Sequence, residues 1–320
     1  MRITVIIPVY NNSRYIRSCI ESIKTQRLDD VELIAVNDGS TDDSGLILKE
    51  YVEKGTLRLI EIEHSGQATA RNRALEIATG DKILFVDADD VLIEGSVKRM
   101  LEVSQLTGAD IVAGEILRCN PEACRRPTYT GKIKELDRHT AIEEVLYKKH
   151  YGYLGSVCGK LFSHRLFEEN RFCEGLFYED VEIMPRLLHT SSKTVYLNEV
   201  VYLYRKNPDS FINTWNDRRL DIFKALECIG RQQFIDKDSG CLTALSDREL
   251  SAAFNIMFVA HSKKQLTPRL REQCESIVRK YRKTTIFNSR SRKKNRLASA
   301  ISYVSFDLLR YINKLFGVTK

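Results

Sequence analysis

The chain has 320 residues, 43% of them hydrophobic and 29% charged, with a formal net charge of +7. That length suits one large domain or two smaller ones, and the composition is that of a globular protein with a sizeable core. Six prolines and no low-complexity tract exclude a long disordered linker, and no run of about 18 apolar residues exists to span a bilayer as a helix.

The N-terminal apolar run ends at Pro8, too short for a signal-peptide core, so the expected location is the cytoplasm. Eight cysteines lie scattered without a Cys-x-x-Cys pair. In such a chain they read as small buried hydrophobes and not as a disulfide framework. The charge is uneven: residues 261–320 hold 16 Lys/Arg against 3 Asp/Glu, net +13, which leaves −6 for residues 1–260.

In chain order, Ile3–Pro8 reads as a buried strand and Ser13–Gln26 as a helix, with Tyr15, Ile16, Cys19, Ile20 and Ile23 at helical spacing. Val31–Val36 is a second strand, closed by the turn cluster Asn37–Asp42 that caps the next helix. Leu57–Ile62 is a third strand, Gln67–Ala78 a helix with Gly80 as its expected C-cap, and Lys82–Val86 a fourth strand running into Asp87. A helix over 94–105 and a strand at Asp110–Ala113 complete a βαβ series. The region 116–135 reads as a loop. After it come strands at Gly155–Ser163, Thr194–Leu197 and Val200–Tyr204, around helices near 139–149 and 180–189. Beyond Trp215 the pattern is helical. The expected fold is α/β, a mostly parallel sheet with helices on both faces, whose ligands bind outside the carboxyl ends of the strands.

Polar residues gather at those ends. Asp87-Ala88-Asp89-Asp90 follows the fourth strand, and its carboxylates suit Mn²⁺ or Mg²⁺, cations that also coordinate phosphate oxygens. The structural alternative is a set of acids at the start of a helix. Tyr10 at the first strand end offers a stacking face, and Asp38 at the second a carboxylate able to accept from a ring N–H. Arg71 sits on the following helix, within reach of a base or diphosphate, with a surface salt bridge as the alternative.

These segments resemble family 2 glycosyltransferases of the GT-A fold (Rossmann-like). The resemblance rests on 5–11, 31–42, Ala70-Arg71-Asn72, 85–90, Gly159-Lys160-Leu161-Phe162, Phe177-Tyr178-Glu179-Asp180, Tyr202-Leu203-Tyr204-Arg205 and Ser210, in that order over residues 1 to about 212. It implies a GT-A catalytic domain at 1–212, with a nucleotide-sugar half at 1–115 and an acceptor half at 116–212, then a helical basic region at 213–320. It also implies a nucleotide-sugar donor, a divalent metal and inversion at the anomeric carbon. Pro8, Tyr10, Asp38 and Arg71 would bind the nucleobase end, Asp87 the ribose, and Asp89 the metal. Asp180 would be the general base, a role that one-step displacement requires independently, since the acceptor hydroxyl must lose its proton as it attacks. Glu179, Arg205 (toward the diphosphate) and His189 are further candidates, although a lone histidine such as His189 or His64 is more often structural. Processive members carry a Gln-x-x-Arg-Trp segment, which Phe211-Ile212-Asn213-Thr214-Trp215 is not, so one sugar per acceptor visit is expected.

Tyr10 and Asp38 favour UDP over GDP, with dTDP sharing the same edge, and the expected acceptor is a saccharide or lipid-linked saccharide of cell-surface polysaccharide synthesis. The competing readings are a nucleotidyltransferase, which lacks its Gly-rich loop here, and a non-catalytic sugar-nucleotide-binding protein. Between Arg279 and Arg296 stand nine Lys/Arg and no acid, followed by Leu297, Ile301, Val304, Leu308, Ile312 and Leu315 at helical spacing. This reads as an amphipathic helix over 297–317 on an anionic membrane surface, at the inner face of the cell membrane. Packing of that helix on the catalytic domain is the alternative, and no nucleic-acid motif accompanies the basic run.

Overall fold

The computed structural model describes residues 1–121, 131–148, 154–206 and 215–316. It divides into two compact units, Met1–Ile142 with His150–Asn207, and Glu143–Lys149 with Pro208–Lys320. The boundary expected at 212, Ser210 and Cys124 lie outside the described residues.

The first unit is built on strands β1 (Ile3–Val9), β2 (Val31–Asp38), β3 (Arg58–Ile62), β4 (Lys82–Phe85), β5 (Val91–Leu92), β6 (Ile111–Cys119), β7 (Ile133–Leu136), β8 (Lys160–Ser163) and β9 (Thr194–Arg205). Helices α1 (Ile16–Lys24), α2 (Ser44–Glu53), α3 (Gln67–Ile77), α4 (Ser96–Thr107), α6 (Leu166–Glu169) and α7 (Glu179–Thr190) alternate with them, and α5 (Arg138–Tyr147) crosses the division between the units. The sheet order is β3-β2-β1-β4-β8-β6-β9-β5, with β7 also on β9. Its first four strands are mutually parallel, β8 enters antiparallel between β4 and β6, and β6 and β9 run parallel.

Every residue of β1 is buried, as a strand covered on both faces requires. Ile3, Val5, Ile7 and Val9 share one core with Ile16, Cys19 and Ile20 of α1, Leu48 of α2 and Met100 of α4. Alternate positions point the other way. On that side Phe85 meets Phe162, Phe167 and Phe172 edge-on at 5.4–6.1 Å, and α3 lies along β1 and β2.

Several expectations change. The two strands expected at 194–197 and 200–204 are one strand, β9, whose pairing with β6 shifts register beside Gly114. β7 overlaps the end of the expected loop, and the two-residue β5 is too short to show a period. Gly80 does not cap α3, which ends at Ala78 in extended conformation. A Cβ at Gly80 would stand 2.4 Å from the Thr4 backbone nitrogen, so the residue is needed for close approach to β1. Gly80→Ala is therefore expected to cost about 1–3 kcal/mol, read as a lower urea midpoint at unchanged m-value.

The second unit contains α8 (Asp221–Gly230), α9 (Gln233–Asp236), α10 (Ser239–Ser262), α11 (Pro268–Phe287), α12 (Lys293–Ile301) and α13 (Phe306–Phe316). α11 starts with Thr267 accepting from the Leu270 N–H and with Pro268 in its first turn, a strong local start signal. The single amphipathic helix expected over 297–317 is broken. Val304 N–H bonds back to Ile301, closing α12, and the Ser305 hydroxyl accepts from the Asp307 and Leu308 N–H groups, starting α13 afresh. The expected apolar stripe nevertheless faces outward, with Leu297 63% and Val304 77% exposed. Ile312 and Leu315 lie outside the described side chains. No helix among the described residues is long and apolar enough to cross a membrane.

Candidate active site at the carboxyl edge of the sheet

β1, β2 and β4 run parallel, so Tyr10, Asp38 and the Asp87–Asp90 turn all emerge at one edge. Pro8 lies in β1 just past Ile6↔Phe85, where pairing with β4 has ended, so its missing N–H does not interrupt that ladder. Tyr10 is 42% exposed and stacks on His64, with ring centroids 4.0 Å apart. His64 Nδ1 stands 3.0 Å from the Asp38 carboxylate.

Asp38 is buried, and its oxygens accept the backbone N–H groups of Ser65 (2.7 Å) and Gly66 (3.0 Å). It thus ties the loop after β3 to the end of β2 beside Tyr10. Gly39 makes this possible: at φ +68°, any Cβ would meet the His64 backbone nitrogen at 2.8 Å. His64, set aside as structural from sequence, is part of this platform.

The Asp87–Asp90 turn is held from several directions. Asp87 N–H donates to the Tyr202 hydroxyl, and Asp87 Oδ1 accepts from Gln67 Nε2 and Arg71 Nη2, both at 2.9 Å. Arg205, at the end of β9, donates its backbone N–H to Asp90 and its Nε to the Asp89 carbonyl, each at 2.8 Å, and its guanidinium lies over Tyr15. Arg205 therefore holds the turn from beneath. Asp90 is fully buried; burial first, then the Asp87 and Asp89 charges, push its carboxyl up to about 8. That makes it a support of the loop, whereas Asp89 is half-buried. The oxygen donors that the turn offers at this edge fit a hard divalent cation.

Arg71, expected at the nucleobase end, pairs in the structure with Asp87 and Glu179. It is 2% exposed and packed against the adjoining rings of Phe85 and Phe172, with Nη1 on Glu179 at 2.5 Å and Nη2 on Asp87. Burial acts to lower the guanidinium pKa, but the two carboxylates outweigh it and hold it above its ordinary value. Burial likewise raises Glu179, against the pull of Arg71. Glu179 and Asp180 open α7, immediately after Tyr178 in a left-handed conformation (φ +79°, ψ +35°) that a non-glycine residue adopts at a cost. Asp180 is half-buried and accepts from the Val181 N–H.

Lys160, quoted from sequence only as part of a motif, is fully buried on β8. Its Nζ donates to the Cys158 carbonyl, and burial lowers its ammonium to about 8 despite the opposing charges of Cys158, Asp180 and Glu115. His189 is not brought to the site. It occupies the last turn of α7, about 13 Å along the helix from Asp180, beside Arg138.

The sequence profile of the family described as "Glycosyl transferase family 2" matches residues 4–169. The glycosyltransferase GlyG of Streptococcus pneumoniae serotype 4 is 30% identical over 254 residues, 76% of this chain and 81% of that protein. GlyA of the same organism is 35% identical over 228 residues, 68% of this chain but only 32% of its own length, so the match spans about a third of that relative. In three dimensions the fold is similar to S. aureus TarS 1–349 in complex with UDP-GlcNAc (TM-score 0.72, 19% identity, 98% of this chain and 91% of that one). It also resembles the mannosyltransferase PcManGT of Pyrobaculum calidifontis in complex with GDP-Man and Mn²⁺ (TM-score 0.58, 17% identity, 99% and 87%). By sequence profile, relatives and fold together, the chain belongs to glycosyl transferase family 2 and has the GT-A fold.

Proposed function

We propose that this site transfers one sugar, with inversion, from a nucleoside-diphosphate donor to a hydroxyl of a saccharide or lipid-linked saccharide acceptor in cell-surface polysaccharide synthesis. The observation that carries the reading is that the Asp87–Asp89 turn and the Glu179-Asp180 helix start meet through one guanidinium at the carboxyl edge of the sheet. Family membership favours this over nucleotidyl transfer or a non-catalytic role.

In this reading the nucleobase stacks on the Tyr10 ring face not covered by His64, beside Pro8 and the Asp38 loop. Asp87 serves the ribose. Asp180 takes the acceptor proton as the acceptor oxygen attacks the anomeric carbon and the bond to the diphosphate breaks, its electron pair leaving with the diphosphate. A Mn²⁺ or Mg²⁺ ion held at Asp89 would neutralise that leaving charge. UDP is the favoured nucleotide, because Tyr10 and Asp38 suit a pyrimidine and because the similar fold of TarS is known with UDP-GlcNAc. A thermal-shift screen of nucleotide sugars with Mn²⁺ tests this: the UDP series should stabilise the protein most. A response confined to GDP-sugars would set the UDP assignment aside.

The C-terminal basic region fits an anionic membrane surface at the cytoplasmic face. Leu297, Tyr303, Val304, Leu308 and Tyr311 are exposed apolar groups, with Arg282 stacked 3.7 Å over Tyr303 and Lys293 and Lys294 exposed on α12. The full chain should co-sediment with anionic vesicles, and a Val304→Glu/Leu308→Glu variant should bind them at least about tenfold more weakly. Equal sedimentation of both would remove the membrane reading.

A further inference from the structure

We propose that Arg71 is a positioning residue: it sets the spacing between the donor-side turn at Asp87–Asp89 and the Glu179-Asp180 helix start, and does not itself touch the nucleotide. This rests on the sugar-transfer reading above. Arg71 is buried against two phenylalanine rings, and each of its Nη atoms is engaged by a carboxylate from a different element, one 16 and one 108 residues away. To reach a nucleotide, the guanidinium would have to leave that slot and strand Glu179, itself buried, without its cation. Through Asp87 it can act on the donor only indirectly.

The next residue does the same work on the backbone. Asn72 Nδ2 donates to the Phe172 carbonyl at 3.0 Å, and Asn72 Oδ1 accepts the Phe172 N–H at 2.9 Å. Two consecutive residues of α3 therefore fasten the 172–179 segment, one by its backbone and one by its terminal carboxylate. Asp180 follows Glu179 directly, so the place of the proposed base depends on this clamp. A planar two-pronged guanidinium suits the task, because a lysine ammonium cannot present the same fork to both carboxylates.

The test compares wild type, Arg71→Lys, Arg71→Met and Glu179→Gln as full chains. It measures steady-state transfer with Mn²⁺ and calorimetric binding of UDP. Arg71→Met and Glu179→Gln should lower kcat by about 10- to 100-fold, as a misplaced base does, while the Kd for UDP stays within about threefold. Arg71→Lys should recover part of the loss in kcat. Glu179→Gln keeps the side-chain volume and decides the matter alone if Arg71→Met does not fold. A UDP Kd that weakens in step with kcat/KM would overturn the proposal and place the role of Arg71 on the donor side. A wild type that binds no nucleotide would overturn the sugar-transfer reading and this proposal with it, a result seen before any variant is measured.

Discussion

Asp180→Asn is expected to lower kcat by about 10²–10⁴-fold and to leave UDP affinity within about twofold of wild type. The amide keeps the size of the side chain and can still accept the Val181 N–H that the carboxylate receives at 2.7 Å, so the start of α7 should fold as before. What the amide cannot do is take a proton. With Asp180 as the proposed base, the substitution should remove only the deprotonation of the acceptor hydroxyl and leave the proposed donor half, built on β1, β2 and β4, untouched. Rapid-quench or steady-state kinetics beside calorimetry separates the two effects. An Asp180→Asn variant with wild-type kcat would move the base elsewhere, with the other α7 carboxylate, Glu179, the first residue to examine.

The second large effect belongs to the other end of the reaction. Asp89→Ala should lower kcat/KM by about 10³-fold, the equivalent of about 4 kcal/mol of leaving-group stabilisation. It should also abolish the gain in UDP affinity that Mn²⁺ gives the wild type, so the variant binds UDP as the wild type does in EDTA. The turn itself should survive, because Arg205 holds it through the Asp89 backbone carbonyl and the Asp90 carboxylate, neither of which the substitution removes. If Asp89→Ala keeps a Mn²⁺-dependent rise in UDP affinity, the metal is held by other groups.

The contrast between these residues and Arg71 marks what a single sequence discloses. The position of Asp87 and Asp89 at a strand end is legible because the strand Lys82–Phe85 leads through the apolar Val86 into them, and strand ends in a parallel sheet are where ligands bind. The start of α7 is legible from helical spacing after two acids. The partners of Arg71 are not. Its ion pair with Glu179 spans 108 residues, and nothing local distinguishes a buried bridging arginine from one that faces solvent or a base.

The stacking of His64 on Tyr10 is not legible for the same reason, since it depends on β2 and β3 lying side by side. Lys160 is visible only as part of a motif; its burial is a property of the finished sheet. In the fold, the losses are at short or irregular pieces. β5 has two residues, β7 carries only one buried position, and the break at 302–305 is a serine cap inside an otherwise continuous apolar spacing. The helical period is right there, but the hydroxyl of Ser305 outweighs it.

The most direct test of the central claim measures UDP release from UDP-sugars, with Mn²⁺ and saccharide acceptors, by the wild type and by the Asp89→Ala and Asp180→Asn variants side by side. The account predicts that the wild type turns over at least one UDP-sugar and that both variants release UDP at about a hundredth of that rate or less. Release by both variants at the wild-type rate would contradict it.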